Sequence, residues 1–275
     1  MSNGRVKYSR PTRLQGVEQL SCQDADFNFP RHFHPAYCIW LNINGGEHYF
    51  HNGNTGILQP TEFGIVAPGE VHANNAIDHT NRNLMTFYVQ TEQLEKIAAQ
   101  IDEKSSPAIE FRSQFYQDTE CLRLLVRLFT CLQSSTSAME QESAFLEVFS
   151  LLSCRHAAVS PQQNPVGIDK TRVRRIIEIL HDRLAENVSL NELSCQLDCT
   201  PYYLIRFFKK VTGLTPYAYL QHLRLEQARE LIWQGDQLVE VALETGFSDQ
   251  SHLTRHFKAH FGITPGEYKR QSQNH

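Results

Sequence analysis

The chain has 275 residues, of which 41% are hydrophobic and 20% are charged, so it is long enough to form two globular domains. The formal net charge is −4, and it divides into −5 for residues 1–165 and +1 for residues 166–275. No run of eighteen apolar residues occurs, and the N-terminus lacks an apolar signal region, so we expect a cytoplasmic protein with no membrane partner.

Short runs rich in aromatic and β-branched residues alternate with Gly, Asn and Pro turns over residues 1–90. The clearest runs are AYCIWLNI (36–43), EHYFH (47–51), TGILQ (55–59) and FGIVA (63–67). A spacing of about eight to twelve residues between such runs is typical of a small all-β barrel or sandwich. The N-terminal part is therefore predicted to be a small all-β barrel or sandwich.

Two local motifs make this prediction more specific. The run HFHP (32–35) precedes one predicted strand, and the run PGEVH (68–72) follows another. Together they resemble the two motifs of the cupin barrel, in the form found in the sensor domains of AraC-type regulators. In catalytic cupins these motifs hold a metal, and the resemblance would place its ligands at His32, His34 and His72.

Three imidazoles could hold a divalent metal with open positions for a substrate. The acidic ligand of the first cupin motif is missing, however, because Cys38 and Ile39 occupy its place. We therefore expect no catalytic residue, no cofactor and no metal, and we expect the histidines to line or support the mouth of a ligand pocket. Two alternatives stay open: a metal on the three histidines, and histidines that only satisfy loop backbone.

A small-molecule pocket combines apolar and aromatic walls with a few convergent polar groups. The run PRHFHPAY (30–37) resembles regulators associated with amino-acid export, which implies an amino acid as effector, with its carboxylate facing Arg31. The predicted effector-binding residues are Arg31, His32, His34, Tyr37, Trp40, Glu47, Glu70 and His72.

From residue 91 the apolar period becomes helical, and helices are predicted over 91–104, 118–133 and 140–157. Helices that follow the barrel commonly form the dimer interface in the family that the barrel motifs resemble, so a homodimer is expected. Residues 158–168 are rich in Pro, Gln and Asn and are predicted to be a linker. Residues 1–157 are thus predicted to bind the effector and to dimerise.

The C-terminal part contains a repeat. The run LIRFFKKVTGLTPYAY (204–219) returns 49 positions later as LTRHFKAHFGITPGEY (253–268), with eight identical residues in sixteen positions. In the first copy, a short helix is followed by a turn and by a helix with a Thr-Pro start at residues 200–201. In the second copy, Ser248 is predicted to cap the second helix, and one residue is inserted in the turn. Each copy is a helix-turn-helix unit, at about 188–211 and 238–260.

A recognition helix must expose side chains that reach base edges. In the first copy we expect this face to carry Tyr202, Ile205, Arg206 and Lys209. In the second copy we expect Gln250, Ser251, Thr254, Arg255 and Lys258. A solvated polar face on an ordinary helical hairpin would give the same pattern in one copy, but two matched copies favour DNA binding.

Residues 169–275 resemble the DNA-binding domain of the AraC/XylS family of bacterial regulators. The resemblance rests on the runs TPYYLIRFFKKVTGLTPYAYLQHLRLEQARELI (200–232) and GFSDQSHLTRHFKAHFGITPGEYKR (246–270). It implies seven helices, with two helix-turn-helix units joined by a central helix over about 217–234. Ile205 departs from the family pattern, in which this position is often polar.

The sequence therefore predicts an α+β protein with an N-terminal cupin-like β-barrel and a C-terminal all-α double helix-turn-helix. The expected function is effector-responsive regulation of transcription, with promoter or operator DNA as partner and RNA polymerase as a further partner of an activator. Two alternatives stay open: a metal-dependent cupin enzyme fused to a DNA-binding domain, and a constitutive regulator whose barrel only dimerises.

Overall fold

The computed structural model describes residues 5–25, 28–51, 54–77, 82–102, 109–134, 136–159, 161 and 170–272. The chain forms two compact units. The N-terminal unit comprises Met1–Ser134 and Ala144–Asn164, and the C-terminal unit comprises Ser135–Ser143 and Pro165–His275.

The N-terminal unit contains two antiparallel sheets. The six-stranded sheet has the order β1-β2-β9-β4-β7-β10, and the four-stranded sheet has the order β3-β8-β5-β6. The strands are β1 (Arg5–Ser9), β2 (Val17–Ala25), β3 (Phe29–His32), β4 (Tyr37–Asn42), β5 (Glu47–His51), β6 (Asn54–Leu58), β7 (Phe63–Val66), β8 (His72–Ala76), β9 (Arg82–Val89) and β10 (Gln114–Tyr116).

Strand β4 is buried along its whole length because both of its faces are covered. Cys38 and Trp40 belong to a core cluster that also contains Leu58 from the four-stranded sheet. Side chains alternate along a strand, so Ile39 faces the other side. It pairs there with Phe87, whose ring lies 5.5 Å from that of Phe129 in a helix. One face of the six-stranded sheet therefore meets the second sheet, and the other face meets helices.

The helices that follow the strands are α1 (Thr91–Ile101), α2 (Thr119–Gln133) and α3 (Ala138–His156). The Asp118 carboxylate caps α2 by accepting the Cys121 N–H at 3.1 Å. Gln19 of β2 donates to the carbonyl of Phe129 in α2 at 3.2 Å, which fixes the helix on the sheet. Of α3, residues 138–143 belong to the C-terminal unit and the remainder belongs to the N-terminal unit.

The C-terminal unit contains seven further helices among its described residues. They are α4 (Lys170–Asp182), α5 (Leu190–Gln196), α6 (Pro201–Thr212), α7 (Pro216–Gln234), α8 (Leu238–Glu244), α9 (Gln250–Phe261) and α10 (Pro265–Ser272). Helices α6 and α9 both end at a glycine in the left-handed region, Gly213 (φ 79°) and Gly262 (φ 81°), and the helices that follow, α7 and α10, both begin with a Thr-Pro pair. The repeat in the sequence is thus a repeat of helix ends and helix starts.

The predicted architecture, a β-rich N-terminal part followed by a helical C-terminal part, is confirmed. Strand β10 was not predicted, because it consists of three residues that follow α1 and pair with β7. The predicted linker at 158–168 lies largely outside the described residues. Within the described ranges, no helix combines the length and the apolar composition needed to cross a bilayer.

Candidate functional sites

The two helix-turn-helix units have closely related turns. Asp198 (φ 47°) follows the end of α5, and Gly246 (φ 76°) follows the end of α8, so each turn places one residue in the left-handed region. A Cβ on Gly246 would lie 2.8 Å from the Arg224 guanidinium and 2.9 Å from the Ala185 backbone. Glycine is therefore required in the second turn by close packing as well as by its φ angle.

The start of the second recognition helix, α9, differs from the prediction. Asp249, not Ser248, is the N-cap, and its carboxylate accepts the His252 N–H at 2.7 Å. The Ser248 hydroxyl lies 3.1 Å from Nδ1 of His252 instead. Both residue types are good helix caps. Asp249 lies 49 positions after Thr200, the cap of α6, so the repeat offset itself indicates this cap, and the prediction placed it one residue too early.

The exposed face of α9 carries the side chains that the sequence predicted. Arg255 and Lys258 are exposed, and Thr254 is half-buried with its hydroxyl donating to the Gln250 carbonyl at 2.8 Å. The residues that line this open face are Gln250, Ser251, Thr254, Arg255, Lys258 and Ala259. Arginine and glutamine can each contact a base edge with two hydrogen bonds, and lysine can neutralise a phosphate.

The corresponding face of α6 is less polar than predicted. Arg206 is half-buried and Lys209 is exposed, but Tyr202 and Ile205 are buried, with exposed fractions of 8% and 9%. Successive residues on a helix are about 100° apart, so Ile205 lies only about 60° from Phe208 and borders the apolar stripe. The Arg206 guanidinium lies 5.3 Å from the centre of the Tyr202 ring and covers part of it. Tyr202 and Ile205 are thus not freely exposed, contrary to the expectation.

A hydrophobic core holds the second helix-turn-helix unit together. It joins α7, α8 and α9 through Leu225, Ala228, Ile232, Val241, Ala242, Phe247, Leu253 and Phe257. On the central helix α7, Leu220, Leu225, Ala228 and Ile232 are buried, while Leu223 and Leu231 are half-buried. This packing fixes the angle at which α9 presents its polar face.

In the N-terminal unit, three histidines converge near the end of β3. The ring of His32 lies 4.8 Å from that of His34 and 4.4 Å from that of His72. Burial, followed by the neighbouring His32 and His72, lowers the pKa of His34 to about 4. His34 Nε2 is buried without a hydrogen-bond partner in the described part of the chain. Burial also lowers the pKa of His72, so the rings of His34 and His72 favour the neutral form.

This cluster matches part of the metal site that the cupin resemblance implies. One nitrogen from each of the three rings lies within 4.8 Å of the others, which fits a divalent transition metal. The position of the missing acidic ligand is occupied by Cys38, whose thiol is buried in the core with a pKa raised by that burial. The residues present could thus supply three nitrogen ligands to a metal.

A small cavity lies among side chains of the two sheets. Its volume is about 10 Å³, and it is lined by Leu20, Phe29, His32, Cys38, Trp40, His72, Asn74, Leu84, Thr86 and Tyr88. That volume corresponds to roughly one water molecule. This cavity is therefore too small for a small-molecule effector.

A groove of about 690 Å³ lies next to this cavity. Its lining is formed by Tyr8, Arg10–Thr12, Leu14–Glu18, His34–Ala36, Tyr88 and Gln90. His34 and Tyr88 form the wall between the groove and the interior, with ring centres 4.4 Å apart. The groove residues before β2 carry no recognisable motif, so sequence reasoning missed them. A groove of this size lies in the range that binds small molecules.

The eight predicted effector residues do not form one surface. His32, Trp40 and His72 line the small interior cavity, and His34 lines the groove. Glu47 lies in the core, where its carboxylate accepts hydrogen bonds from Trp40 Nε1 and Arg82 Nη1. The remaining three residues, Arg31, Tyr37 and Glu70, line neither the cavity nor the groove. The Arg31 guanidinium lies 3.9 Å from the centre of the Phe50 ring, and the Tyr37 hydroxyl accepts the Phe111 N–H at 3.4 Å. The Glu70 carboxylate lies 2.7 Å from Nε2 of His51.

A β domain with a ligand-sized groove, joined to two helix-turn-helix units, defines a DNA-binding regulator. An AraC-like ligand binding domain matches residues 16–149, and a helix-turn-helix domain matches residues 193–271. The HTH-type transcriptional regulator YbfI of Bacillus subtilis is 30% identical over 246 residues, which cover 88% of this chain and 84% of that protein. The HTH-type transcriptional activator RhaS of Escherichia coli O81 is 25% identical over 254 residues, 88% of each chain. The chain belongs to the AraC family of transcriptional regulators.

Proposed function

We propose that this regulator reads its operator with α6 and α9 and that an effector in the groove of the N-terminal unit controls the outcome. An effector shifts an equilibrium between two states only by its different affinity for them. The effector-free and effector-bound states would differ in how the DNA-binding units are presented to the operator. The observation that carries this proposal is the groove of about 690 Å³ beside a cavity that holds about one water.

Base reading is assigned chiefly to α9. Its Gln250, Thr254 and Arg255 lie on one accessible face, and Lys258 follows one turn after Thr254. On α6, Arg206 and Lys209 occupy the equivalent positions of Arg255 and Lys258, with a smaller polar surface around them. Phosphate contacts fix the register of such a helix, and base contacts give it specificity. We infer that α9 contributes more sequence discrimination than α6.

An amino acid is the effector class that the groove favours. Arg10 and Glu18 both line the groove and form an ion pair, with Nε and Oε2 2.5 Å apart. A zwitterion could replace this pair, because its carboxylate can bind the guanidinium and its ammonium can bind the carboxylate. Tyr88 and Pro35 provide apolar surface beside these charges. Arg10, and not Arg31 as the sequence pattern predicted, would therefore bind the carboxylate of the effector.

We propose that the chain is a cytoplasmic homodimer whose contact includes α2, where Leu122, Val126 and Leu132 are only half-buried. An activating role would add RNA polymerase as a partner. We propose no enzymatic activity, and this is supported by relatives that are named as transcriptional regulators.

The effector proposal can be tested by thermal unfolding of the full chain in the presence of amino acids, sugars, aromatic acids and divalent metals. Ligand that binds only the folded state raises the melting temperature with the logarithm of its concentration. Arg10→Ala should abolish the response to one amino acid, whereas Arg31→Ala, a matched exposed arginine outside the groove, should retain it.

The opposite pattern, with response lost in Arg31→Ala and kept in Arg10→Ala, would place the effector at the mouth of the barrel. A response to none of the small molecules would favour the constitutive regulator. Stabilisation by metal alone would favour a metal site on the three histidines, and with it the enzyme alternative.

A further inference from the structure

The second recognition helix carries two histidines on the side away from its exposed polar face. His252 and His256 are one turn apart, with ring centres separated by 4.6 Å. Glu140 belongs to the segment Ser135–Ser143, which is part of the same C-terminal unit. One carboxylate oxygen of Glu140 and one nitrogen of each histidine all lie within 4.8 Å of one another.

The internal repeat shows that packing alone does not require histidine at these positions. The residues 49 positions earlier are Tyr203 and Phe207 in α6, and their rings lie 5.3 Å apart. The first copy therefore fills the same two positions with rings that serve a packing role. The second copy has two imidazoles there, which supply ring nitrogens that the first copy lacks.

One of these nitrogens is buried and unused by the protein. His252 is 5% exposed, and its Nε2 has no hydrogen-bond partner in the described part of the chain. A buried polar atom without a partner is rare, and a missing ion or water is a common reason for it. Nδ1 of the same ring lies 3.1 Å from the Ser248 hydroxyl. The Ser248 backbone N–H also donates to Nδ1, at 3.4 Å. With a metal on Nε2, Nδ1 would carry the ring hydrogen and donate it to the Ser248 hydroxyl, and the longer contact with the Ser248 N–H would be given up.

We propose that Glu140, His252 and His256 form a binding site for a divalent transition metal of the zinc class. Two imidazoles and one carboxylate are a ligand set that zinc accepts, with a fourth position left for water. Imidazole nitrogen also favours zinc, nickel and cobalt over calcium and magnesium, which prefer oxygen ligands.

Charged side chains of both signs lie around the site. Arg224 lies in the same part of the unit, and its guanidinium donates to the carbonyls of Leu184 and Glu186 at 2.8 and 2.9 Å. On α9, Arg255 and Asp249 act on the ring of His252 with opposite sign, and Glu140 acts on Arg224. Burial lowers the pKa values of both histidines, to about 4 for His256.

Access to the site is provided by an adjoining cavity of about 250 Å³ within the C-terminal unit. His252 and Arg224 both line this cavity, together with the hydroxyl-bearing Ser137 and Ser248. A metal bound beside it would link residues 138–143 to the helix that carries Arg255. It would therefore stabilise the position of the recognition helix from its buried side.

The experiment is a cobalt titration of the full chain after removal of metals with a chelator. Cobalt bound by nitrogen and oxygen ligands in tetrahedral geometry gives visible absorption bands that hexahydrated cobalt lacks at comparable strength. We expect wild type to show a saturable band that zinc displaces. His256→Phe and His252→Tyr should lose this band, because they restore the residues of the first copy and so preserve the packing. Glu140→Gln, which keeps the side-chain shape, should weaken cobalt binding at least tenfold.

His34→Ala is the matched control, because it disrupts the histidine cluster of the N-terminal unit and leaves α9 intact. It should retain the cobalt band that the α9 variants lose. Circular dichroism verifies that each variant is folded, and Glu140→Gln decides the question if a histidine variant is not.

Equal cobalt binding by wild type, His256→Phe and Glu140→Gln would overturn the proposal. So would loss of the band in His34→Ala alone. Stabilisation by phosphate or sulfate, with no response to metal and loss of the effect in His252→Tyr, would show an anion site at Arg224 instead and would also overturn it. None of these outcomes depends on the effector groove or on operator binding.

Discussion

Arg82 and Glu47 form an ion pair that is closed off from water and joins the two sheets of the N-terminal unit. Arg82 Nη1 lies 2.7 Å from Glu47 Oε2, and both side chains are 0% exposed. Glu47 begins β5 in the four-stranded sheet, and Arg82 begins β9 in the six-stranded sheet. Burial raises the pKa of Glu47, and Arg82, Trp40 and Asn74 oppose this by binding the charged form. The pair is therefore a structural link between the two sheets.

Arg82→Met should destabilise the N-terminal unit by about 3–5 kcal/mol, because it leaves the Glu47 carboxylate buried without its counter-charge. The double variant Arg82→Met with Glu47→Leu should be less destabilised than Arg82→Met alone, since it removes both buried charges. Urea unfolding followed by circular dichroism measures the difference.

The exposed pair Arg10–Glu18 is the control for this prediction, and Arg10→Met should cost less than about 1 kcal/mol. A double variant as unstable as the sum of its two single variants would show that the two charges do not act as a pair.

Asp118 should make the stability of the N-terminal unit depend on acid pH. Burial alone would raise the pKa of this carboxyl, but the Cys121 N–H, His156 and Arg155 lower it well below its ordinary value. Because the folded pKa lies below the unfolded value of 3.8, the stabilisation is complete above that pH and is lost as pH falls further.

Asp118→Asn tests this effect, because an asparagine can still cap α2 but cannot form the ion pairs with Arg155 and His156. It should cost about 1 kcal/mol at pH 7. The difference from wild type should shrink as pH falls below 4, as followed by thermal unfolding at several pH values. A difference that stays constant down to pH 2 would contradict the role of the charge.

The features that sequence analysis predicted well are governed by local rules. Short segments of the sequence are enough to show the repeat at a 49-residue offset, the Thr-Pro starts of the helices and their glycine ends. The Arg82–Glu47 pair joins residues 35 positions apart on different sheets, and no local pattern indicates it. The groove is also non-local, since residues 8–18 meet His34 and Tyr88 only in the folded unit. The burial of Ile205 was missed because a position at the border of an apolar stripe depends on what packs beside it.

Gly64 should be intolerant of substitution because Trp40 lies across it. The two residues are paired in neighbouring strands, and a Cβ at position 64 would lie 2.6–2.8 Å from the indole ring. Gly64→Ala should therefore displace Trp40 and cost about 1–3 kcal/mol. Urea unfolding measures the loss, and the change in tryptophan emission reports the displacement of the ring.

Gly266→Ala is the matched control for Gly64→Ala, since a Cβ at residue 266 meets no atom within 4 Å. It should leave the emission of the N-terminal unit unchanged. Normal stability of Gly64→Ala would mean that the indole has room to move away from β7.

The two basic side chains on the exposed face of α9 should affect DNA binding in different ways. Arg255 lies closer to the start of the helix, where base contacts are made, and Lys258 lies farther along. Arg255→Ala should cost about 1–3 kcal/mol at the operator and should lower the ratio of specific to nonspecific affinity. Lys258→Ala should weaken binding to all sequences alike and should reduce the slope of log affinity against log salt by about 1. Fluorescence anisotropy at several salt concentrations, with operator and scrambled duplexes, measures both quantities.

Arg174→Ala, which removes an exposed arginine on α4, is the control for a general loss of positive charge. If Arg255→Ala left the affinity ratio unchanged and altered only the salt slope, Arg255 would be a phosphate contact, and base reading would have to be assigned to Gln250 and Thr254.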